Sequence, residues 1–122
     1  MKENIIKTKS FDFAIKIIKL FQLLQSEKKE YVLSKQLLRS GTSVGAMIRE
    51  SEFAESKLDF IHKMAIAQKE INETLYWLEL LQNTEYLTKE QFDIIYKDAV
   101  EIIKLITSII KSAKSNLKTI NN

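Results

Sequence analysis

TKEQFDIIYKDAVEIIKLITSIIKSA, residues 88–113, decides the architecture. Phe92, Ile95, Ala99, Ile102, Ile106, Ile109 and Ala113 recur at intervals of 3 and 4 through seven positions. That period matches the turn of an α-helix, so the stretch reads as one continuous amphipathic rod. Thr88-x-x-Gln91 supplies a capping box at its start.

The same reading extends backwards. Phe60, Met64, Ala67, Ile71, Thr74, Leu78 and Leu81 alternate at 4 and 3, and Ser56-x-x-Asp59 resembles a second capping box. Leu37, Gly41, Val44 and Ile48 repeat at 4, 3 and 4. Phe13, Ile17, Leu20 and Leu24 share one face after Ser10, read as an N-cap, with Phe11, Ile15, Ile18 and Phe21 beside them. Polar Ser26 to Glu30 reads as a loop. The expected helices span about 10–26, 32–54, 57–83 and 88–117. Rods of about 26 residues are about 39 Å long, and short loops make consecutive ones antiparallel. The expectation is all-α: an antiparallel up-down-up-down four-helix bundle, with residues 1–122 as one domain.

Composition agrees. Among 122 residues there are 2 Gly and no Pro, too little turn punctuation for a sandwich, barrel or α/β fold. The 45% apolar content argues against disorder. With no Cys, disulfides and thiolate chemistry are excluded, and one His (His62) excludes any site that needs two. No apolar run exceeds four residues, as in Leu75-Tyr76-Trp77-Leu78, where a membrane span needs about 20. Met1 to Phe11 is basic without a continuous apolar segment, so no signal peptide is read and a cytoplasmic location is the default expectation.

Several motifs invite chemistry. Gly41-Thr42-Ser43-Val44-Gly45 matches G-x-S-x-G, but a nucleophile elbow needs a preceding strand, and a helical period runs through this one. Each glycine costs about 1 kcal/mol in a helix interior. Two of them four apart, flanked by Ser40, Ser43 and Ala46, read instead as a place where another helix approaches closely. Asp59-x-x-His62 has the outline of a di-iron motif, which needs a second copy and further Glu; Glu52, Glu55, Asp59 and His62 read as a solvated acidic stripe. Glu70 and Glu73 are a carboxylate pair that Arg39 or Arg49 could meet, within the chain or across a subunit boundary. No catalytic residue, metal ligand or cofactor is expected, and the chain reads as a non-enzyme.

Charge is uneven. Residues 1–50 hold 10 basic and 5 acidic residues, residues 51–100 hold 5 and 10, and residues 101–122 hold 4 and 1. Lys104, Lys111, Lys114 and Lys118 form a stripe near the chain end, and an antiparallel bundle would bring Lys2, Lys7 and Lys9 towards it. That basic end is either a phosphate-contacting surface without base specificity or a solubilising tail at a helix C-terminus. Apolar residues wrap most of the way round the third helix, which points to cover from a second copy at Ile66, Tyr76, Trp77 and Leu80.

Gln36-Leu37-Leu38-Arg39-Ser40-Gly41-Thr42-Ser43-Val44-Gly45-Ala46-Met47-Ile48-Arg49-Glu50 resembles the signature of the 23S rRNA intervening-sequence protein family, small bacterial four-helix bundles. The stretch from Phe60 to Leu81 fits the same family, and the resemblance covers roughly residues 10–117. Met47 departs from it, since family members commonly carry Asn there. The resemblance implies that Arg39, Ser43, Glu50, Glu70 and Glu73 form a polar seam between the second and third helices or between subunits. It also implies a homo-oligomer, with a pentamer expected. A similar fold serves diversity-generating retroelements as an accessory protein that binds nucleic acid and a reverse transcriptase. RNA, DNA or a protein partner are therefore the expected ligands, and no membrane.

Overall fold

The computed structural model describes residues 2–121, with side chains from 5 to 118. Four helices account for almost all of it: α1 (Lys2–Ser26), α2 (Leu33–Ser51), α3 (Lys57–Asn83) and α4 (Lys89–Asn121). Each packs against its neighbour in sequence and α1 closes the ring against α4, while among the described residues the diagonal pairs bring no Cα atoms within 8 Å of each other. This is the up-down four-helix bundle, and no strand occurs among the described residues.

Burying the apolar stripes places Phe13, Ile17 and Leu24 of α1 against Leu37, Val44 and Ile48 of α2. Met64, Ile71 and Leu78 of α3, with Ile95, Ala99, Ile102 and Ile106 of α4, complete the core. One polar contact crosses it. The hydroxyls of buried Ser40 and Thr74 are hydrogen-bonded at 2.9 Å, and Thr74 Oγ1 lies 2.8 Å from the Glu70 carbonyl oxygen. No buried side-chain N or O lacks a partner among the described residues, so this contact carries no desolvation penalty for a missing bond.

The ends are built locally. Thr88 and Gln91 form the reciprocal box: the Gln91 N–H donates to Thr88 Oγ1 (3.1 Å) and the Thr88 N–H to Gln91 Oε1 (2.9 Å). Ser56 accepts from the Asp59 N–H (3.0 Å), whereas the Asp59 carboxylate accepts from the Glu55 N–H, one residue before the cap. The helix bounds differ from expectation by more than one residue at three places, one of them the end of α4, which runs to Asn121 rather than 117. Helix α2 stops at Ser51, and Phe53 beyond it is 81% exposed. Helix α1 starts at Lys2, which makes Ser10 an interior residue: it is buried, with its hydroxyl donating to the Lys7 carbonyl (3.1 Å). Gly45 of α2 packs beside it, and a Cβ there would lie 3.4 Å from the Ser10 carbonyl oxygen and 3.6 Å from its hydroxyl oxygen.

Candidate functional site

The helix seams are laced by charge. Lys9 of α1 meets Glu101 of α4 at 2.9 Å, and Lys16 meets Asp98 at 2.5 Å. Lys7 meets Glu52 at 3.1 Å. The hydrogen bond to Lys9 holds the Glu101 carboxyl below its ordinary range, and Glu101 in turn raises the Lys9 ammonium. The basic end expected from sequence is thus divided. Lys7 and Lys9 are engaged by carboxylates, and the Lys2 side chain lies outside the described residues. Lys104, Lys111, Lys114 and Lys118 are exposed on α4, and none of them takes part in an ion pair among the described residues.

Between α2 and α3, Arg39 forks between two carboxylates of one chain, 2.9 Å from Glu70 and in contact with Glu73. Glu73 also accepts from the indole N–H of Trp77 at 3.3 Å. The Arg39 hydrogen bond is the main reason that the Glu73 carboxyl sits below its ordinary range; burial opposes it, and the Trp77 bond assists. Lower on the seam, Glu50 pairs with Lys63 at 3.5 Å. Ser43 stands apart from these pairs. Its hydroxyl donates along its own helix to the Arg39 carbonyl (2.6 Å), in the middle of α2, where a nucleophile elbow has no place.

Exposed apolar side chains occur on both α3, where Leu58 and Tyr76 stand outward, and α1. Ile66, Trp77 and Leu80 are half-buried within one chain, and Tyr76 alone of the four is exposed, edge-on to Trp77 at 5.1 Å. The larger apolar exposure is on α1, where Phe11 (55%), Ile15 (39%) and Ile18 (40%) stand outward. Beside them the small residues Ala14, Thr42, Gly45 and Ala46 leave an open groove of about 430 Å³ between α1 and α2, which ends at Lys7, Arg49 and Glu50. The signal was present in sequence as the second apolar row of the first helix, a row that the bundle interior has no room to cover. Met47 is half-buried against the core.

Among the described residues no group of three His, Cys, Asp or Glu could hold a metal ion, and no helix is long and apolar enough to cross a membrane. Arg39, Glu70 and Glu73 satisfy one another, and that arrangement cross-braces two helices.

A protein of unknown function from the S23 ribosomal protein family of Bacteroides thetaiotaomicron VPI-5482 has a similar crystal structure, with a TM-score of 0.90 and 58% sequence identity. The match covers 91% of this chain and 99% of that one. Comparison with curated proteins finds no match. The family model described as 23S rRNA-intervening sequence protein matches residues 2–108, which takes in the Arg39 seam, the glycine pair and most of the lysine-bearing helix: the chain belongs to that family.

Proposed function

We propose that the chain is a non-enzymatic, self-assembling bundle whose assemblies hold nucleic-acid backbone on the lysines of α4. One observation carries the reading: Lys104, Lys111, Lys114 and Lys118 are exposed and unpaired among the described residues, while on α1 Lys7, Lys9 and Lys16 are bound to carboxylates and Lys19 is exposed without an ion pair. Lysines meet phosphates as point charges, so the contact is weak, salt-dependent and blind to base identity. The family description refers to 23S rRNA, which makes a structured RNA the first probe. Retention of labelled RNA should fall steeply between about 50 and 200 mM salt. It should be lost in the triple variant Lys111→Glu, Lys114→Glu, Lys118→Glu. Unchanged retention by that variant overturns the reading.

Self-assembly is supported by the Phe11, Ile15 and Ile18 stripe, more apolar surface in one row than a lone bundle needs. Charge supports a head-to-tail contact between copies: residues 1–50 carry 10 cations against 5 anions, residues 51–100 the reverse. Native mass should show a homo-oligomer, a pentamer if the family resemblance holds in number. The Phe11→Glu, Ile18→Glu pair should give monomers. A wild type that stays monomeric at all concentrations overturns this half.

The groove between α1 and α2 favours a second reading, in which a helix of another protein docks there. Competition discriminates. A groove ligand of that kind is displaced by Gly45→Phe, and RNA bound to α4 is not.

A further inference from the structure

We infer that α4 carries a continuous phosphate rail from Lys97 to Lys118, kept cationic by Lys9 and Lys16 of α1, which mask the carboxylates embedded beside it. The inference rests on the nucleic-acid reading above and extends it to residues outside the basic end.

Lys97, Lys104, Lys111 and Lys118 follow one another at intervals of seven residues, and all four are exposed. Seven residues are nearly two helical turns, with a drift of only about 20° per step. The four therefore lie along one line, turned away from the buried row Ile95, Ala99, Ile102 and Ile106. From the first to the last the rise is about 31 Å. A duplex with 3.4 Å between successive base pairs presents about nine of them over that length. Lys114 sits beside the row between its last two members.

Between Lys97 and Lys118 the helix has only two acids, Asp98 and Glu101. Glu101 lies on the ridge between Lys97 and Lys104, where a bare carboxylate would repel a phosphate. Both acids are bound from α1, Glu101 by Lys9 at 2.9 Å and Asp98 by Lys16 at 2.5 Å. Asp12 lines the same cleft, so two lysines there face three carboxylates. Removing one lysine leaves one cation against three anions alongside the rail. Lys9 is thus a positioning residue for charge, acting on phosphate through Glu101.

The test measures the salt dependence of binding to duplex RNA and duplex DNA, each longer than nine base pairs, with the full chain. Lys97→Gln should lower the salt slope by about 1 and weaken binding several-fold. Lys9→Gln should weaken it by a similar factor, and adding Glu101→Gln should restore it. Restoration separates masking from direct contact, since a lysine that itself held phosphate would stay missed in the double variant. Thermal melting of each variant shows that the bundle remains folded. If Lys97→Gln leaves both slopes unchanged, or the loss in Lys9→Gln persists undiminished in the double variant, the rail is overturned while the basic-end reading stands. If the wild type binds neither duplex, both fall together.

Discussion

A Cβ on Gly41 would stand 2.8 Å from both Cγ atoms of Ile17 and 3.2 Å from its Cβ. Ile17 is fully buried and branched at Cβ, so neither contact is the free end of a flexible chain. The glycine exists because α1 needs the space. Gly41→Ala should therefore destabilise the bundle by about 1–3 kcal/mol of overpacking, less the gain of about 1 kcal/mol in helix propensity. Gly45 faces only ordinary contact distances, from 3.4 Å, so Gly45→Ala should be neutral or stabilising by up to about 1 kcal/mol. Urea unfolding of the two variants side by side checks this. Equal effects would mean that the close approach at Ile17 is not what keeps Gly41.

Two residues do the work that glycine does at many helix ends. Lys29 (φ 56°) and Glu85 (φ 69°) take the left-handed conformation after α1 and α3. At Glu85 the turn is closed by the Tyr86 N–H donating to the Leu81 carbonyl (2.9 Å) and the Glu85 N–H to the Gln82 carbonyl (3.0 Å). A side chain costs about 1–2 kcal/mol in that conformation, and glycine avoids it. Glu85→Gly should raise Tm by several degrees. Glu79→Gly, in the interior of α3, should lower stability by about 1 kcal/mol. A melting scan that moved both variants downward would show that the left-handed turn is not strained.

At the start of α2 the capping group is Glu30, two residues before the helix flank. Its carboxylate accepts from the N–H groups of Val32 (3.3 Å), Leu33 (2.9 Å) and Ser34 (2.7 Å). Burial pushes its pKa up, and these three bonds with the Ser34 side chain outweigh that and hold it below the ordinary range. The folded pKa lies below the unfolded one. The stability it contributes is present above the unfolded value and is lost as pH falls through the folded value. Glu30→Ala should cost about 1–2 kcal/mol at pH 7. Denaturant midpoints of variant and wild type should converge as pH drops below the ordinary glutamate range, about 4.3. A gap that stays constant down to strong acid would assign the loss to packing.

The sequence made the core of each helix legible because a buried stripe repeats with the helical period, as Ile95, Ala99, Ile102 and Ile106 show. It misplaced the start of α1 because Ser10 is polar in a core row. The row Ile6, Ser10, Phe13, Ile17 continues through it, and the helix that packs beside Ser10, at Gly45, is 35 residues away in sequence. The Arg39 fork was within reach, since a cation and two acids three apart on neighbouring helices suggest each other. The pairs Lys9–Glu101 and Lys16–Asp98 were not, because |i−j| is 92 and 82 and their register is set only by packing. Glu30 went unread for another reason: glutamate is not among the preferred helix caps, and nothing local distinguishes it from the charged loop around it.

The single tryptophan reports on the Arg39 fork. Trp77 donates to Glu73, and Glu73 is held ionised chiefly by Arg39, so protonating Glu73 changes the surroundings of the indole. Wild-type Trp77 emission should show an acid transition below the ordinary glutamate range. In Arg39→Met the leading cause of the lowered pKa is gone, and the transition should move to higher pH. The direction follows from the sign of the charge removed: without the guanidinium the carboxylate form loses its partner, while burial still favours the neutral acid. The stability cost should remain below about 1 kcal/mol, since Arg39 is half exposed and solvent screens the pair. A fluorescence midpoint that stays in place in Arg39→Met would mean that Glu73 owes its ionisation to the indole bond instead. Trp77→Phe, with the Glu73 carboxyl followed by NMR, then identifies which of the two partners holds the charge.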